Sequence, residues 1–225
     1  MPAKKISITG DLGSGKTTAA KKLAEIFKCK LISSGDIFRQ LAQEKGLSVS
    51  EMNKLAENDM SIDDAIDGRL KQLEGTNEFC VIDSRLGWLF VPSTYKVYLT
   101  VDPKIAAKRV LEASTGIVET YTSVEEAEQE LKKCTTLEKQ RYIDKYSVDL
   151  FDKGNYNLVI DTGYSNIDTV VKKIIECFSK EANCMLLDAK TLYPTQNFRN
   201  MDYHKTISIV ESNKKKRCIF YCWIL

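Results

Sequence analysis

Apolar and polar positions alternate in short runs, then recur at helical spacing, and the two periods take turns along the chain. Lys5-Ile6-Ser7-Ile8-Thr9 alternates like a strand, and Ala20, Leu23 and Phe27 then repeat at i, i+3 and i+7, one face of a helix. Short apolar runs predict further strands at 29–32, 79–82, 95–101 and 157–161. Runs of this kind suit strands covered on both faces. Between them, Ile62, Ala65, Ile66, Leu70 and Leu73 mark an amphipathic helix. Asp102-Pro103 supplies an N-cap and a first-turn proline for another, running to about Leu111. Ser123-Val124-Glu125-Glu126 is a capping-box pattern that opens a long, charged helix to about Lys145. Ile167, Val170, Val171, Ile174, Ile175 and Phe178 mark a last helix. Strands alternating with helices predict an α/β fold of three αβα layers around a five-stranded parallel sheet.

By residue 180 this pattern is complete, so 1–180 reads as one domain and 181–225 as a short C-terminal extension. Met185-Leu186-Leu187 has the character of a short strand, and 186–194 could open a second, truncated domain. The run Lys214-Lys215-Lys216-Arg217 precedes a strongly apolar terminus, Cys218-Ile219-Phe220-Tyr221-Cys222-Trp223-Ile224-Leu225. Such a segment forms an edge strand or a sticky end. A third reading is preferred: the lysine codons are a slippage point, and the last eight or so residues are read out of frame.

Composition narrows the classes. A chain of 225 residues, 43% hydrophobic, builds one good core and a small appendage. Its net charge of +2 implies no general affinity for nucleic acid or acidic membranes. No apolar run approaches the roughly 20 residues a bilayer span needs, and residues 1–10 lack the apolar core of a signal peptide. The seven cysteines are scattered and form no C-x-x-C pair, which reads as a reduced, cytoplasmic setting without a zinc site. The single histidine, His204, lies outside the expected catalytic region, so histidine-based chemistry is a poor fit.

The chemistry enters with Gly10-Asp11-Leu12-Gly13-Ser14-Gly15-Lys16-Thr17, a G-x-x-x-x-G-K-[ST] loop between a predicted strand and a predicted helix. That arrangement aims backbone N–H groups and a helix N-terminus at a phosphate. The glycines let the backbone wrap the anion, Lys16 brings charge to the β- and γ-phosphates, and Thr17 offers a hydroxyl to Mg²⁺. The donor site is therefore expected at Gly10, Gly13, Ser14, Gly15, Lys16, Thr17 and Thr18, binding ATP with Mg²⁺ in a P-loop NTPase fold.

A second site follows the next strands. Ser33-Ser34-Gly35-Asp36 leads to Arg39, and strand 79–82 leads to Asp83-Ser84-Arg85-Leu86-Gly87-Trp88. In these residues the chain resembles the nucleoside monophosphate kinases, and its Ser-Arg-Leu turn is similar to the cytidylate kinase-like branch of archaeal type. The likeness continues through Glu138-x-x-Arg141-Tyr142, Tyr146-x-x-Asp149 and Asn157 to Thr162, and spans residues 4 to about 180. It implies transfer of the γ-phosphoryl group to a nucleoside monophosphate, CMP or dCMP first. Ser34, Gly35, Asp36, Arg39 and Arg85 would hold the acceptor, because a planar guanidinium meets a phosphate bidentately. Thr17, Asp36 and Asp83 are the candidate Mg²⁺ positions, Asp36 slightly ahead because its context is the more specific. Glu57 and Asp67 lie on helices expected to cover the monophosphate, where solvated faces explain them better than ligand contact.

The resemblance also implies a helical lid at about 109–145, with Arg109 and Arg141 joining Lys16 and Arg85 as catalytic cations. Relatives tend to carry an arginine near 134, whereas this chain has Lys133-Cys134. On a helix Cys134, Glu138 and Arg141 share a face, so the cysteine removes a cation from the transferring group. Three readings follow: a cytidylate kinase-like enzyme, a P-loop kinase for another small acceptor, or a weakly active nucleotide-binding regulatory module. The partners expected are small-molecule nucleotides, with no nucleic acid and no membrane; a monomer and an oligomer both fit.

Overall fold

A computed structural model describes residues 5–56, 59–113, 121–181 and 218–220. Five parallel strands match the expected runs to within about a residue: β1 (Ile6–Gly10), β2 (Lys30–Ser33), β3 (Cys80–Asp83), β4 (Tyr95–Thr100) and β5 (Leu158–Asp161). Cys218–Phe220 adds a three-residue edge strand, β6, parallel to β5, so this part of the apolar terminus takes the edge-strand form. The remainder of 182–225, with His204 and the lysine run, lies outside the described residues.

The helices are α1 (Lys16–Phe27), α2 (Ser34–Glu44), α3 (Val49–Ala56), α4 (Ser61–Gln72), α5 (Gly87–Phe90), α6 (Pro103–Ala113), α7 (Val124–Tyr146) and α8 (Ile167–Glu181). The sheet order is β2-β3-β1-β4-β5-β6. After β1 the chain turns to one side, and after β3 it crosses to the other. Open α/β sheets bind ligands where the connections diverge in this way, beyond the carboxyl ends of the strands.

Strand alternation divides the core. Ile6 and Ile8, with Val81, Val97 and Leu99, face Ala20 and Leu23 of α1 and Val171 and Ile174 of α8. On the opposite face, Cys80 and Ile82 meet Ile37, Met52, Ile62 and Leu70 of α2 to α4. Ser7 and Thr9, the polar positions of β1, are buried too. A buried hydroxyl is costly unless paired. Ser7 shares a 2.9 Å hydrogen bond with the Thr94 hydroxyl, and Thr9 donates to the Ser84 carbonyl at 2.9 Å. Thr9 thus holds the turn that follows β3, and Ser7 the residue that leads into β4.

Both predicted N-caps are present. The Asp102 carboxylate accepts from the Lys104 N–H at 2.9 Å, and the Ser123 hydroxyl accepts from the Glu126 N–H at 3.1 Å. Glu126 closes on Thr122 instead of Ser123, accepting from its N–H at 2.7 Å. Ala106 and Ala107 of α6 pack on Ala127 and Leu131 of α7, the small residues letting the two helices approach. The expected lid, about 109–145, takes in the end of α6 and almost all of α7; residues 114–120 lie outside the described set.

Candidate active site

The loop after β1 is built for an anion. A Cβ at Gly10 would lie 2.2 Å from the Leu99 carbonyl oxygen, so only glycine lets the chain leave β1 this close to β4. Gly15 caps α1 with φ of 84°, no side chain closes that N-terminus, and its first turn holds no acidic residue. The first-turn N–H groups therefore keep their positive field for an external anion. Ser14 donates its hydroxyl to the Asp11 carbonyl at 2.8 Å, and the Lys16 ammonium reaches the same carbonyl at 3.0 Å. Thr18 is exposed on the first turn of α1.

Burial, and then the Arg85 charge, lower the Lys16 pKa to about 8; Asp83, Glu138 and Asp11 pull it back upward. The ammonium is thus incompletely compensated by its own protein, and a polyphosphate would supply the missing negative charge. The Thr17 hydroxyl donates to Asp83 Oδ2 at 2.7 Å, which sets two hard oxygen groups side by side at the mouth of the loop. Among the described residues no group of three or more His, Cys, Asp or Glu side chains gathers to hold a metal. A hydroxyl and one carboxylate suit Mg²⁺, which keeps waters and takes phosphate oxygens as its other ligands.

Asp11 was a variable position in the motif, yet it anchors the loop. Its carboxylate accepts from the Tyr98 hydroxyl, from the Thr100 hydroxyl at 2.7 Å and from the Val101 N–H at 3.1 Å. Tyr98 is fully buried, and burial with the nearby Asp11 charge raises its pKa, so it remains a hydroxyl donor. The available signal was Tyr98 and Thr100 on either side of core-facing Leu99 in β4; no local period says which acceptor they share.

On the acceptor side, Ser33 caps α2 by accepting from the Gly35 N–H at 3.2 Å, and the Ser34 hydroxyl donates to the Ser84 hydroxyl at 2.6 Å. Asp36 forms an exposed ion pair with Arg39, one helical turn on. It makes no hydrogen bond to Thr17 or Asp83, so the structure joins Asp83, not Asp36, to the P-loop threonine. Arg85 lies between the two halves. It donates through Nη1 to the Gly10 carbonyl, and its Nε pairs with Glu138 of α7 at 2.9 Å.

The two lid arginines are engaged elsewhere. Arg109 spends its guanidinium on the carbonyls of Gly13, Thr162 and Gly163, at 3.4, 2.5 and 3.1 Å, and on the Thr162 hydroxyl at 3.2 Å. That geometry stitches the P-loop to the turn after β5. Arg141 is paired with Asp63 of α4, and Lys145 lies 3.0 Å from Asp64. Tyr146 donates to Asp67 at 2.7 Å, and Asp67 is buried with its pKa raised by desolvation. Asp67 is therefore not on a solvated face: amphipathic spacing placed it there, but α7 covers it. Glu57 lies outside the described residues. Cys134 is exposed, and Lys133 is held by Glu130 at 3.6 Å.

Sheet order, glycine loop and open helix N-terminus together define a P-loop nucleotide-binding fold of the kind kinases use. Solved structures share it: a shikimate kinase from Bacteroides thetaiotaomicron superposes with a TM-score of 0.54 at 15% identity, covering 76% of this chain and 96% of that one. An uncharacterized protein from Eubacterium ventriosum gives a TM-score of 0.61 at 21% identity, covering 78% of this chain and 98% of that one. Residues 5–164 match the cytidylate kinase-like family. The cytidylate kinase of Archaeoglobus fulgidus is 35% identical over 173 residues, 76% of this chain and 93% of the relative. That of Methanocella arvoryzae is 34% identical over 178 residues, 78% and 98% of the two chains. The chain belongs to the cytidylate kinase-like family and is a kinase. Among the described residues no helix is long and apolar enough to cross a membrane.

Proposed function

We propose that this kinase transfers the γ-phosphoryl group of ATP to CMP or dCMP. The observation that carries the reading is Arg85, held between the P-loop and α7 beside an under-compensated Lys16. The cytidylate acceptor is supported by the relatives named cytidylate kinase. An acceptor phosphate is ionised at neutral pH, so no side chain has to act as nucleophile or base; positioning and charge neutralisation do the work. The loop N–H groups and Lys16 hold the donor phosphates, while Arg39 and Arg85 hold the acceptor phosphate in line with them. Thr17 and Asp83 would hold Mg²⁺, which when bound neutralises charge on the transferring group. Arg109 keeps the loop in place, and Arg141 ties α7 to α4 through Asp63.

The kinase unit spans 1–180 with a lid at about 109–145, and 181–225 is an extension of unknown function; the setting is cytoplasmic. A coupled ADP-release assay over the nucleoside monophosphates tests the reading. Turnover with CMP or dCMP above that with AMP and GMP is expected, with dependence on added Mg²⁺. Preference for a different acceptor refutes the cytidylate assignment, and no turnover with any monophosphate refutes the reaction. The exposed Cys134, one turn before Glu138, favours a second reading of a weakened enzyme that still binds ATP.

A further inference from the structure

Arg85 is fixed at three levels. Its backbone follows a turn held by Thr9, whose hydroxyl reaches the carbonyls of Ser84 at 2.9 Å and Arg85 at 3.4 Å. Its Nη1 donates to the Gly10 carbonyl at the root of the P-loop. Its Nε meets Glu138 Oε1 at 2.9 Å, the one ion pair of Arg85 among the described residues. Nη2 forms no hydrogen bond among those residues. One guanidinium nitrogen is hydrogen-bonded and a second is ion-paired to Glu138, and Nη2 retains its donors.

The surroundings make Glu138 more than a surface partner. The two side chains are 18% and 21% exposed, drier than most ion pairs among the described residues. Glu138 comes from the middle of α7, whose first half packs on α6 and whose last turns pair with Asp63 and Asp64 of α4. A single rigid helix thus sets where the carboxylate stands relative to both halves of the cleft. An arginine of four rotatable bonds would otherwise lose that aim, since holding such a side chain costs rotamer entropy.

We propose that Glu138 is a positioning residue for phosphoryl transfer: through Arg85 Nε it holds the guanidinium so that its free end meets the acceptor phosphate. The inference rests on the kinase reading above. Glu138 itself touches neither nucleotide. Its carboxylate also offsets the Arg85 charge beside Lys16, so that two cations can share the cleft before any phosphate arrives.

The test is a double-mutant cycle on the full chain, with steady-state kinetics at varied CMP and varied ATP. Glu138→Ala is expected to lower kcat/KM for CMP about tenfold, with the KM for ATP within about twofold of wild type. Glu138→Gln, which keeps an acceptor oxygen and the volume, falls between the two and carries the test should the alanine variant fail to fold. In an Arg85→Ala background the Glu138 substitutions are expected to change kcat/KM less than about twofold. A full tenfold loss in that background, or no loss in the single variants, overturns the proposal while leaving the kinase reading intact. Absence of turnover in the wild-type chain would overturn the kinase reading, and this inference with it.

Discussion

Replacing Lys16 by methionine should stabilise the protein while abolishing turnover. The folded chain lowers the Lys16 pKa from 10.5 to about 8, chiefly through burial. At 1.36 kcal/mol per pKa unit, holding the ammonium in the folded state costs about 3 kcal/mol. Methionine has a similar unbranched reach and no charge, but it loses the hydrogen bond to the Asp11 carbonyl, worth about 1 kcal/mol. The net gain expected for Lys16→Met is ~2 kcal/mol, or about 4–8 °C in Tm for a chain of this size. The sign follows from linkage. With the folded pKa below the unfolded one, the unfolded chain binds more protons between about pH 8 and 10.5, so wild-type stability from this group rises across that window. The advantage of the variant is therefore complete below pH 8 and fades towards zero by about pH 10. Urea denaturation of both proteins at about pH 7 and about pH 10, without nucleotide, measures it directly. A variant less stable than wild type at the lower pH, or one whose gain is the same at both, refutes the account of Lys16 as a strained cation awaiting phosphate.

Two further outcomes are expected. Cys134→Arg should raise kcat with CMP by about tenfold or more, a barrier reduction of at least ~1.4 kcal/mol, because the side chain lies one turn before Glu138 and the neighbouring Lys133 lies near Glu130 in an exposed pair; an unchanged kcat shows that the lid needs no cation there. Asp11→Asn should cost about 2–3 kcal/mol of stability by urea denaturation, since its amide nitrogen cannot accept from Tyr98 or Thr100 as the carboxylate does; a loss below about 0.5 kcal/mol would mean that β4 does not anchor the P-loop.

Much of the fold was legible because its signals are local. Strand and helix periods, the Asp102 and Ser123 caps and the glycine loop each depend on residues a few positions apart, and the structure places the strands within about a residue of expectation and the helix ends within about three. The glycine at the start of the loop shows how far such a signal reaches. Its presence was readable as a motif, but its reason, the Leu99 carbonyl in the way of any Cβ, comes from a strand 89 positions further on.

Family resemblance extended that reach to Arg39, Arg85, Arg109 and Arg141 as cations, without saying what each would face. An arginine's role depends on which acceptors surround its fork. Folding surrounded Arg109 with backbone carbonyls and Arg141 with Asp63, leaving Arg85 between the loop and the lid helix. The sequence context put Asp36 slightly ahead of Asp83 as a metal position, and only the parallel pairing of β1 and β3 brought Asp83 to Thr17. By itself the sequence determined an α/β domain with a phosphate loop, because chemistry carried by contiguous residues survives in any arrangement. The division of labour among its charged side chains was decided by tertiary structure, since a charge acts on whatever the packed sheet brings within a few ångströms and burial sets how strongly it acts.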